Sequence, residues 1–513
     1  MVNRLKPGLC LAATLACLTP AFAASPQGTY HAATDFWGPR YQNSQVAPSP
    51  TPKTPSKKVL ATAERLRHWN QTAIDASGID HTFSPPEQGG PVRAARAIAI
   101  VHIAVFEAIN AIDGHCKSYI GMPPANPDTS MNCAIAQAAH DTLCAVFPAQ
   151  VNHFDDLLND ELAQKESPHK KKLGIALGKD CAAKALAMRA NDGSFYVEQR
   201  YGIEYIAGNE PGIWRQDPIS QHPLALGSLW GGVTPFVLQS SSQFRCPVPP
   251  ALNSAEYTAA YNEVKSLGGD GIVTPTVRTE EQTQIGTFWA YDGTPSLCAP
   301  PRFYNQITMH IADLMGTSNN PEALARLLAL VNTAMADAGV ASWESKFFYN
   351  YWRPITAIRE SDIGTGPTGF GDGNDDTVGD TTFTPLGAPA SNLNGPNFTP
   401  PFPAYPSGHA TFGGALFQTL RRFYGTDNIP FTIQSDEFNG ITRDNEGNLR
   451  PLISRSYANL SQAEEENGQS RIYLGIHWPW DKEQGIAQGR KVGDWVFDHA
   501  FQAQSKKPKP PKK

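Results

Sequence analysis

The sequence lacks an excess of basic residues. Its 513 residues include 42 Lys and Arg against 48 Asp and Glu, which gives a formal net charge of −6. Binding to nucleic acid requires a basic face that displaces counterions from the phosphates, so this composition argues against a nucleic-acid partner. Hydrophobic residues make up 41% of the chain and charged residues 18%, as in folded globular proteins.

The N-terminal apolar run is too short to cross a membrane. Residues 8–18 follow Arg4 and Lys6 and precede the small-residue sequence Ala-Phe-Ala at 21–23, whereas a bilayer requires about 20 apolar residues. This order is typical of a secretory signal, with an N-terminal membrane anchor as the alternative. We predict that residues 1–23 are a signal peptide, and that the mature protein is exported, periplasmic or secreted, without a membrane span.

Cysteine is scarce, with eight residues in the chain. Two of them fall in the predicted signal peptide, and in an exported chain the other six permit up to three disulfides, among about fifteen pairings that the sequence leaves open. None has the spacing of metal ligands, and a complete zinc motif such as H-E-x-x-H is missing. The six are Cys116, Cys133, Cys144, Cys181, Cys246 and Cys298.

Most of the chain has the apolar spacing of helices. Residues 24–58 are rich in Pro, Ser, Thr and Gly, lack periodicity, and are predicted to be an extended N-terminal arm. Beyond them, apolar residues recur every three or four positions, and few stretches alternate with a period of two. We therefore predict an all-α protein. Helices are predicted over 60–75, 93–113, 132–147, 150–165, 169–191, 255–267, 279–291, 302–316, 320–351, 408–424 and 481–501.

Two segments interrupt or end this pattern. Residues 361–403 are rich in Gly and Pro and have no helical repeat, and a loop of this length is usually a lid or the rim of a binding site, or else disordered. Residues 505–513 are predicted to be a disordered basic tail. The stretches 59–270 and 271–504 have similar numbers of predicted helices, which suits a pair of helical bundles.

Three clusters in the second half of the chain combine cations, histidines and a glycine turn. The first is Lys346 followed by Arg353-Pro354. Seven residues turn an ideal helix through about 700°, so both cations are expected on one helix face. Arg offers a planar fork that matches an oxyanion, and Lys a mobile point charge. Alone, the pair is better explained as a solvated basic stripe.

The second cluster, Pro406-Ser407-Gly408-His409, precedes an apolar helical run. Serine is a favoured N-cap, and glycine lets a ligand approach the backbone. The free amides of this helix start are therefore available to an anion. Alone, Ser407 is also explained as an ordinary cap and His409 as a surface residue.

The third cluster contains Arg471, His477 and Asp481. Four residues separate His477 from Asp481, so on a helix Asp481 can accept a hydrogen bond from one ring nitrogen and leave the other free to bind or attack. Arg471 would lie about 120° away on a straight helix, so the backbone is expected to bend between them, which Gly475 permits. Alone, the His–Asp pair is a common surface arrangement.

Together and in this order, K-x6-R-P, P-S-G-H and S-R-x5-H-x3-D resemble the signature of the vanadium haloperoxidase and acid phosphatase superfamily, which includes the type 2 phosphatidic acid phosphatases. The surrounding sequence, such as TPPFPAYPSGHATFGGA and SRIYLGIHW, is similar to vanadium chloroperoxidases of fungal type. The resemblance is strong over residues 279–481 and weak before residue 90.

The resemblance implies a fold of two four-helix bundles packed into one compact unit with long loops, and vanadate as the cofactor. His477 would be the metal ligand, Asp481 would fix its tautomer, and His409 would exchange protons with a pKa near its ordinary value. Lys346 would polarise bound peroxide. The residues expected to hold the oxyanion are Lys346, Arg353, Ser407, Gly408, Arg471 and His477.

Three further positions match supporting residues of the family. Trp343 and Phe402 correspond to the pair that lines the halide side of the site in chloroperoxidases, although core packing explains both equally well. Asp292, in a Tyr-Asp-Gly turn, corresponds to the carboxylate that pairs with the site arginine, here Arg471.

The implied function is the oxidation of chloride or bromide by hydrogen peroxide to hypohalous acid, through a peroxovanadate bound to His477. Two alternatives use the same residues. One is an acid phosphatase in which His477 attacks phosphorus, and the other is an oxyanion-binding protein without turnover. The sequence leaves open an organic acceptor and the oligomeric state.

Overall fold

The computed structural model describes residues 36–41 and 61–504, and α-helices dominate this part of the chain, at about 51%. The predicted signal peptide, the tail at 505–513, and residues 24–35 and 42–58 of the predicted arm lie outside the described residues. The helices are α1 (Thr62–Asp80), α2 (Pro91–Asp113), α3 (Met131–Val146), α4 (Val151–Leu162), α5 (Pro168–Arg189), α6 (Ala255–Gly268), α7 (Glu280–Phe288), α8 (Pro300–Leu314), α9 (Pro321–Tyr349), α10 (Pro354–Glu360), α11 (Gly408–Tyr424), α12 (Leu460–Tyr473) and α13 (Pro479–His499).

The strands are short and form two antiparallel pairs. Gln199–Arg200 (β1) pairs with Leu224–Ala225 (β2), and Phe431–Asn439 (β3) pairs with Leu452–Tyr457 (β4). Within the described residues there is no closed sheet. The prediction of an all-α fold is confirmed.

Two long helices form the centre of the core. Helix α2 packs against α3, α5 and α9, and α9 packs also against α11 and α13. Both are long and apolar enough to cross a membrane, but 94% and 89% of their apolar windows are buried inside the protein, as in the core helices of a globular protein. Because α9 contacts both groups of helices, the division of the chain at residue 270 stays a prediction.

Helix α9 ends between the two cations of the first motif. Asn320 caps its start by accepting from the amides of Glu322 and Ala323, each at 3.1 Å. Its end is marked by Asn350 in the left-handed conformation, with φ 51°. The expectation that one helix carries both Lys346 and Arg353 is therefore wrong, since Arg353 is the N-cap of α10.

The described part of the predicted arm is buried. Tyr41 is fully buried and donates a hydrogen bond to the carbonyl of Pro396 at 2.8 Å. The ring of Trp37 lies 5.4 Å from that of Phe398 and 5.9 Å from that of His222. Residues 36–41 therefore pack into the molecule against the 361–403 loop, which has no helix or strand.

The six described cysteines form no disulfide. Five are buried, and Cys144 is half-buried. The three disulfides that the cysteine count permits are therefore not formed in this structure.

Candidate active site

Lys346 is buried at the end of α9 and holds the segment before α11. Its ammonium group donates to the carbonyls of Pro403 and Ala404, each at 2.9 Å, and to that of Pro406. A lysine has three N–H donors, so these three carbonyls engage all of them. Lys346 therefore fixes the backbone that leads into Ser407.

The two arginines keep donors without a partner. Arg353 donates through Nε to the carbonyl of Phe402 at 3.0 Å and through Nη1 to that of Ile476 at 2.9 Å. Arg471 donates through Nη2 to Asp292 at 2.6 Å. Among the described residues, Nη2 of Arg353 and both Nε and Nη1 of Arg471 are buried without a hydrogen-bond partner. Buried donors are rarely left unpaired, so these three atoms indicate a site for an acceptor.

His477 lies beside these donors, just before α13. Its Nδ1 is 2.8 Å from a carboxylate oxygen of Asp481, and the same oxygen accepts from the amide of Trp478 at 3.1 Å. Because this oxygen already accepts from the Trp478 amide, it acts as an acceptor for Nδ1 as well, so Nδ1 carries the ring proton and Nε2 has a lone pair. Arg353 Nη1 donates to that Nε2 at 2.9 Å. Nε2 can bind a metal once the metal displaces this hydrogen bond.

The backbone between Arg471 and His477 bends as expected. Helix α12, which carries Arg471, ends at Tyr473, and Gly475 has φ +71°. His477 precedes Trp478, the N-cap of α13, so the His477–Asp481 contact is made at a helix start and not along a continuous helix.

The site concentrates positive charge in a buried place. Burial lowers the pKa of Lys346 well below its usual value, and the neighbouring Arg353 lowers it further. Burial raises the pKa of Asp481 to about 7, and it also raises that of Asp292, against the effect of Arg471. Because their pKa values are raised, Asp292 and Asp481 do not fully neutralise the positive charge of Lys346, Arg353 and Arg471. A bound anion would supply the missing negative charge.

Both histidines of the site are held neutral. Burial lowers the pKa of His477 well below its usual range, followed by the effect of Arg353. Burial and then Arg471 do the same for His409, whose Nε2 is 2.5 Å from the carbonyl of Ala290. His409 therefore differs from the expectation of an ordinary pKa. A bound anion would raise both values again, because it favours the protonated ring.

Ser407 and Gly408 start α11 as the sequence predicts. Ser407 is the N-cap, its side chain accepts from the amide of Ala410 at 3.4 Å, and its own amide donates to the carbonyl of Asp481 at 2.9 Å. The first amides of a helix have no partner within the helix. Those of Gly408 and His409 are therefore available to an anion.

Trp343 and Phe402 form an aromatic wall beside Lys346. Their ring centroids are 4.8 Å apart, and the Lys346 nitrogen lies 5.5 Å and 5.2 Å from the two rings. The cavity that reaches His409, Arg471 and His477 is otherwise mostly apolar. Its apolar lining consists of Phe36, Trp37, Pro91, Leu226, Pro300, Trp343, Phe398, Pro400, Pro401, Phe402 and Phe412.

Sequence reasoning missed part of the cavity lining. Phe36 and Trp37 come from the predicted arm, and His222 lies in a connection before β2. An adjacent Phe-Trp pair in a Pro- and Ser-rich region was the only local signal. Nothing local marks His222, because only the folded chain brings it to the cavity.

The donors present fit vanadate. A tetrahedral oxyanion can accept from the unpaired nitrogens of Arg353 and Arg471 and from the α11 amides, while Nε2 of His477 supplies a nitrogen ligand at one side. Phosphate has the same shape and charge and satisfies the same donors.

Comparisons with known proteins agree with this geometry. Residues 326–506 match the family model of the VCPO second helical-bundle domain. The vanadium chloroperoxidase of Curvularia inaequalis is 30% identical over 511 residues, which covers 85% of this chain and 82% of that protein.

Two solved structures share the fold. A bacterial vanadium-dependent iodoperoxidase has a TM-score of 0.68 at 23% identity, over 88% of this chain and 100% of that chain. The holo form of a bacterial vanadium-dependent chloroperoxidase has a TM-score of 0.59 at 17% identity, over 80% of this chain and 91% of that chain. With the identity to the curated relative, these findings place the chain in the vanadium haloperoxidase family.

Proposed function

We propose that this protein is an exported haloperoxidase that uses vanadate and hydrogen peroxide to oxidise chloride or bromide to hypohalous acid. One observation carries the proposal. Three buried guanidinium nitrogens of Arg353 and Arg471 lack a partner beside Nε2 of His477. Each charge-assisted hydrogen bond made there contributes about 1.5–3 kcal/mol, which supports tight retention of an oxyanion.

In the proposed site, His477 Nε2 is the metal ligand. Asp481 holds the proton on Nδ1, and such a carboxylate fixes the ring orientation and raises the basicity of the ligand nitrogen. Arg353 and Arg471 neutralise the oxyanion with two cations. When bound, vanadate supplies a Lewis acid that takes up peroxide and makes it electrophilic toward a halide.

His409 is the proposed proton-transfer residue. Nε2 faces the carbonyl of Ala290 and so carries the ring proton, which leaves Nδ1 to accept a proton from hydrogen peroxide. The negative charge of the bound oxyanion would stabilise the imidazolium, which could then give its Nδ1 proton to the hydroxide that peroxide displaces, so that it leaves as water. His409 thus acts as base and acid in turn, with a pKa set by the occupancy of the site.

Chloride or bromide is the proposed halide. The aromatic wall of Trp343 and Phe402 would strip water from a halide and so favour its oxidation. The curated relative is named a chloroperoxidase. One structural neighbour is named an iodoperoxidase, but at 23% identity it supports the fold alone.

Reconstitution tests the proposal. The purified protein is dialysed with orthovanadate, and bromination of monochlorodimedone is followed after addition of hydrogen peroxide and bromide, with chloride and iodide in parallel. We expect turnover that requires vanadate and is suppressed by excess phosphate, which competes for the same donors.

Each alternative has its own outcome. Rapid hydrolysis of p-nitrophenyl phosphate without any bromination would reverse the proposal in favour of an acid phosphatase. Tight vanadate binding without either activity would favour a binding protein. Oxidation of iodide alone would contradict the assignment of chloride and bromide. N-terminal sequencing of the native protein tests export, and cleavage after residue 23 is expected.

A further inference from the structure

Three side chains with metal-binding atoms converge between α3 and α4, on helices that carry no residue of the oxyanion site. His140 and Cys144 lie one turn apart on α3, and Asp155 lies in the second turn of α4. Nε2 of His140 is 2.8 Å from a carboxylate oxygen of Asp155 and 3.5 Å from the sulfur of Cys144. The three ligand atoms all lie within 4.8 Å of one another.

Without a metal, an imidazolium that donates from Nδ1 to Asp141 and from Nε2 to Asp155 accounts for the two short contacts of His140. The sulfur of Cys144 crowds the same Nε2 at 3.5 Å. Around a zinc ion the same crowding is normal. Zn–N of about 2.0 Å and Zn–S of about 2.3 Å at a tetrahedral angle separate the two ligand atoms by about 3.5 Å.

Asp155 needs only a small adjustment to complete such a site. A tetrahedral Zn–N and Zn–O pair places its ligand atoms about 3.3 Å apart, so the carboxylate has to retreat by about 0.5 Å from His140. Its side chain is 51% exposed, which leaves it room to do so.

The other ring nitrogen of His140 is oriented as in zinc proteins. Nδ1 lies 2.7 Å from a carboxylate oxygen of Asp141, which also accepts from the side-chain amide of Gln137 at 2.7 Å. A metal-bound histidine usually gives its second N–H to a carboxylate, which fixes the ring. Asp141 therefore holds Nε2 toward Cys144 and Asp155.

We propose that His140, Cys144 and Asp155 bind one Zn²⁺, with a water molecule as the fourth ligand. The mixed nitrogen, sulfur and oxygen set suits zinc, whereas Ca²⁺ and Mg²⁺ take oxygen ligands. On binding, the thiol of Cys144 and Nε2 of His140 release their protons to solvent. The ion ties α3 to α4 across the turn at Pro148–Gln150 and stabilises the fold, independently of the oxyanion site.

Metal analysis and cobalt spectroscopy test this site in the full-length protein. After treatment with a chelator and dialysis against Zn²⁺, we expect one zinc per chain. Co²⁺ in its place should give a thiolate-to-metal charge-transfer band, which the oxyanion site cannot produce because none of its side chains carries sulfur. Cys144→Ser should abolish the band, and Cys133→Ser, the same change on the same helix, should leave it.

Three carboxylate variants distinguish the proposed ligand from its neighbours. Asp155→Asn should weaken zinc binding at least tenfold, while Asp156→Asn, at the adjacent exposed position, should leave it unchanged. Asp141→Asn should weaken it by about 10- to 100-fold, as for other carboxylates behind a ligating histidine. All variants are compared at equal helix content by circular dichroism. The site is disproved if the wild type retains no zinc, if the band survives in Cys144→Ser, or if Asp155→Asn and Asp156→Asn bind zinc alike.

Discussion

Trp343 is held between two glycines, so a methyl group added at position 408 has no free space. A Cβ at Gly408 would lie 3.2 Å and 3.3 Å from two carbons of the Trp343 ring, whereas carbon atoms normally pack about 3.5–4.0 Å apart. The ring cannot turn away freely, because its Nε1 donates to the carbonyl of Leu226 at 3.1 Å and its edge already lies against Gly227.

We expect Gly408→Ala to lower the free energy of unfolding by about 1–3 kcal/mol, the usual cost of an extra methyl group in a packed core. It should also weaken binding of vanadate or phosphate, because relief of the contact moves the first amides of α11. Urea unfolding and oxyanion titration measure the two effects. Gly232→Ala is the matched control, since a Cβ there meets nothing within 4 Å, and it should change stability by less than about 0.5 kcal/mol.

A double-mutant cycle identifies the cause. Trp343→Phe removes the outer ring that carries both contacting carbons, so in that background Gly408→Ala should cost at least about 1 kcal/mol less. If Gly408→Ala costs the same in both backgrounds, or no more than Gly232→Ala, then the glycine is not required by the tryptophan and the reasoning is refuted.

Four other substitutions probe the site and the core. His477→Ala should abolish retention of vanadium through dialysis, while His409→Ala should keep the metal but lose turnover; equal loss of metal, by elemental analysis, would contradict this division. Arg471→Lys should weaken phosphate binding at least tenfold in a titration. A lysine ammonium that pairs with Asp292 cannot also place donors at the positions of Nε and Nη1 of Arg471, which now have no partner. His102 is buried with its pKa lowered to about 3 by burial. Wild type therefore loses stability as the pH falls below about 6.5, where the unfolded chain takes up a proton and the folded chain does not. His102→Leu should be more stable relative to wild type by about 2 kcal/mol at pH 5 than at pH 7.5 in urea unfolding.

Local periodicity was enough to predict most of the helices. Apolar residues at three-four spacing mark a helix because it buries one face, and the predicted segments at 93–113 and 408–424 match α2 and α11. Helix α12 was missed because Glu464, Glu465 and Glu466 interrupt its apolar pattern. The strand pair β3–β4 was missed because only part of β3 alternates in burial.

Spacing along an ideal helix failed where a helix ends. The positions of Lys346 and Arg353 suggested one shared face, but Asn350 in the left-handed conformation stops α9 between them. The chain then turns back through Arg353, the cap of α10. The motif correctly indicated that the two side chains belong to one site. The turns through which the backbone brings them together leave no trace in the hydrophobic periodicity, so they could not be predicted from it.

Long-range contacts explain what no local pattern could predict. Trp37 belongs to a Pro- and Ser-rich region that resembles solvated chain, yet it packs on Phe398, more than 350 residues away, because burial of two aromatic rings offsets the cost of ordering the segment. The low pKa of His409 has the same origin. It depends on how deeply the fold buries the ring and on the distance to Arg471, and neither is visible in the Pro-Ser-Gly-His sequence.

The three donors of Lys346 also determine how the site must respond to a ligand. All of them are used by carbonyls of residues 403–406, whereas the free donors belong to Arg353 and Arg471. If the proposed function holds, an oxyanion would bind first to the arginines, and Lys346 could reach it only by releasing one carbonyl. That carbonyl lies in the segment that joins Phe402 to Ser407, so the movement would reach both the aromatic wall of Trp343 and Phe402 and the start of α11. We therefore expect a substitution in either the wall or the α11 start to change both the affinity for an oxyanion and the halide preference.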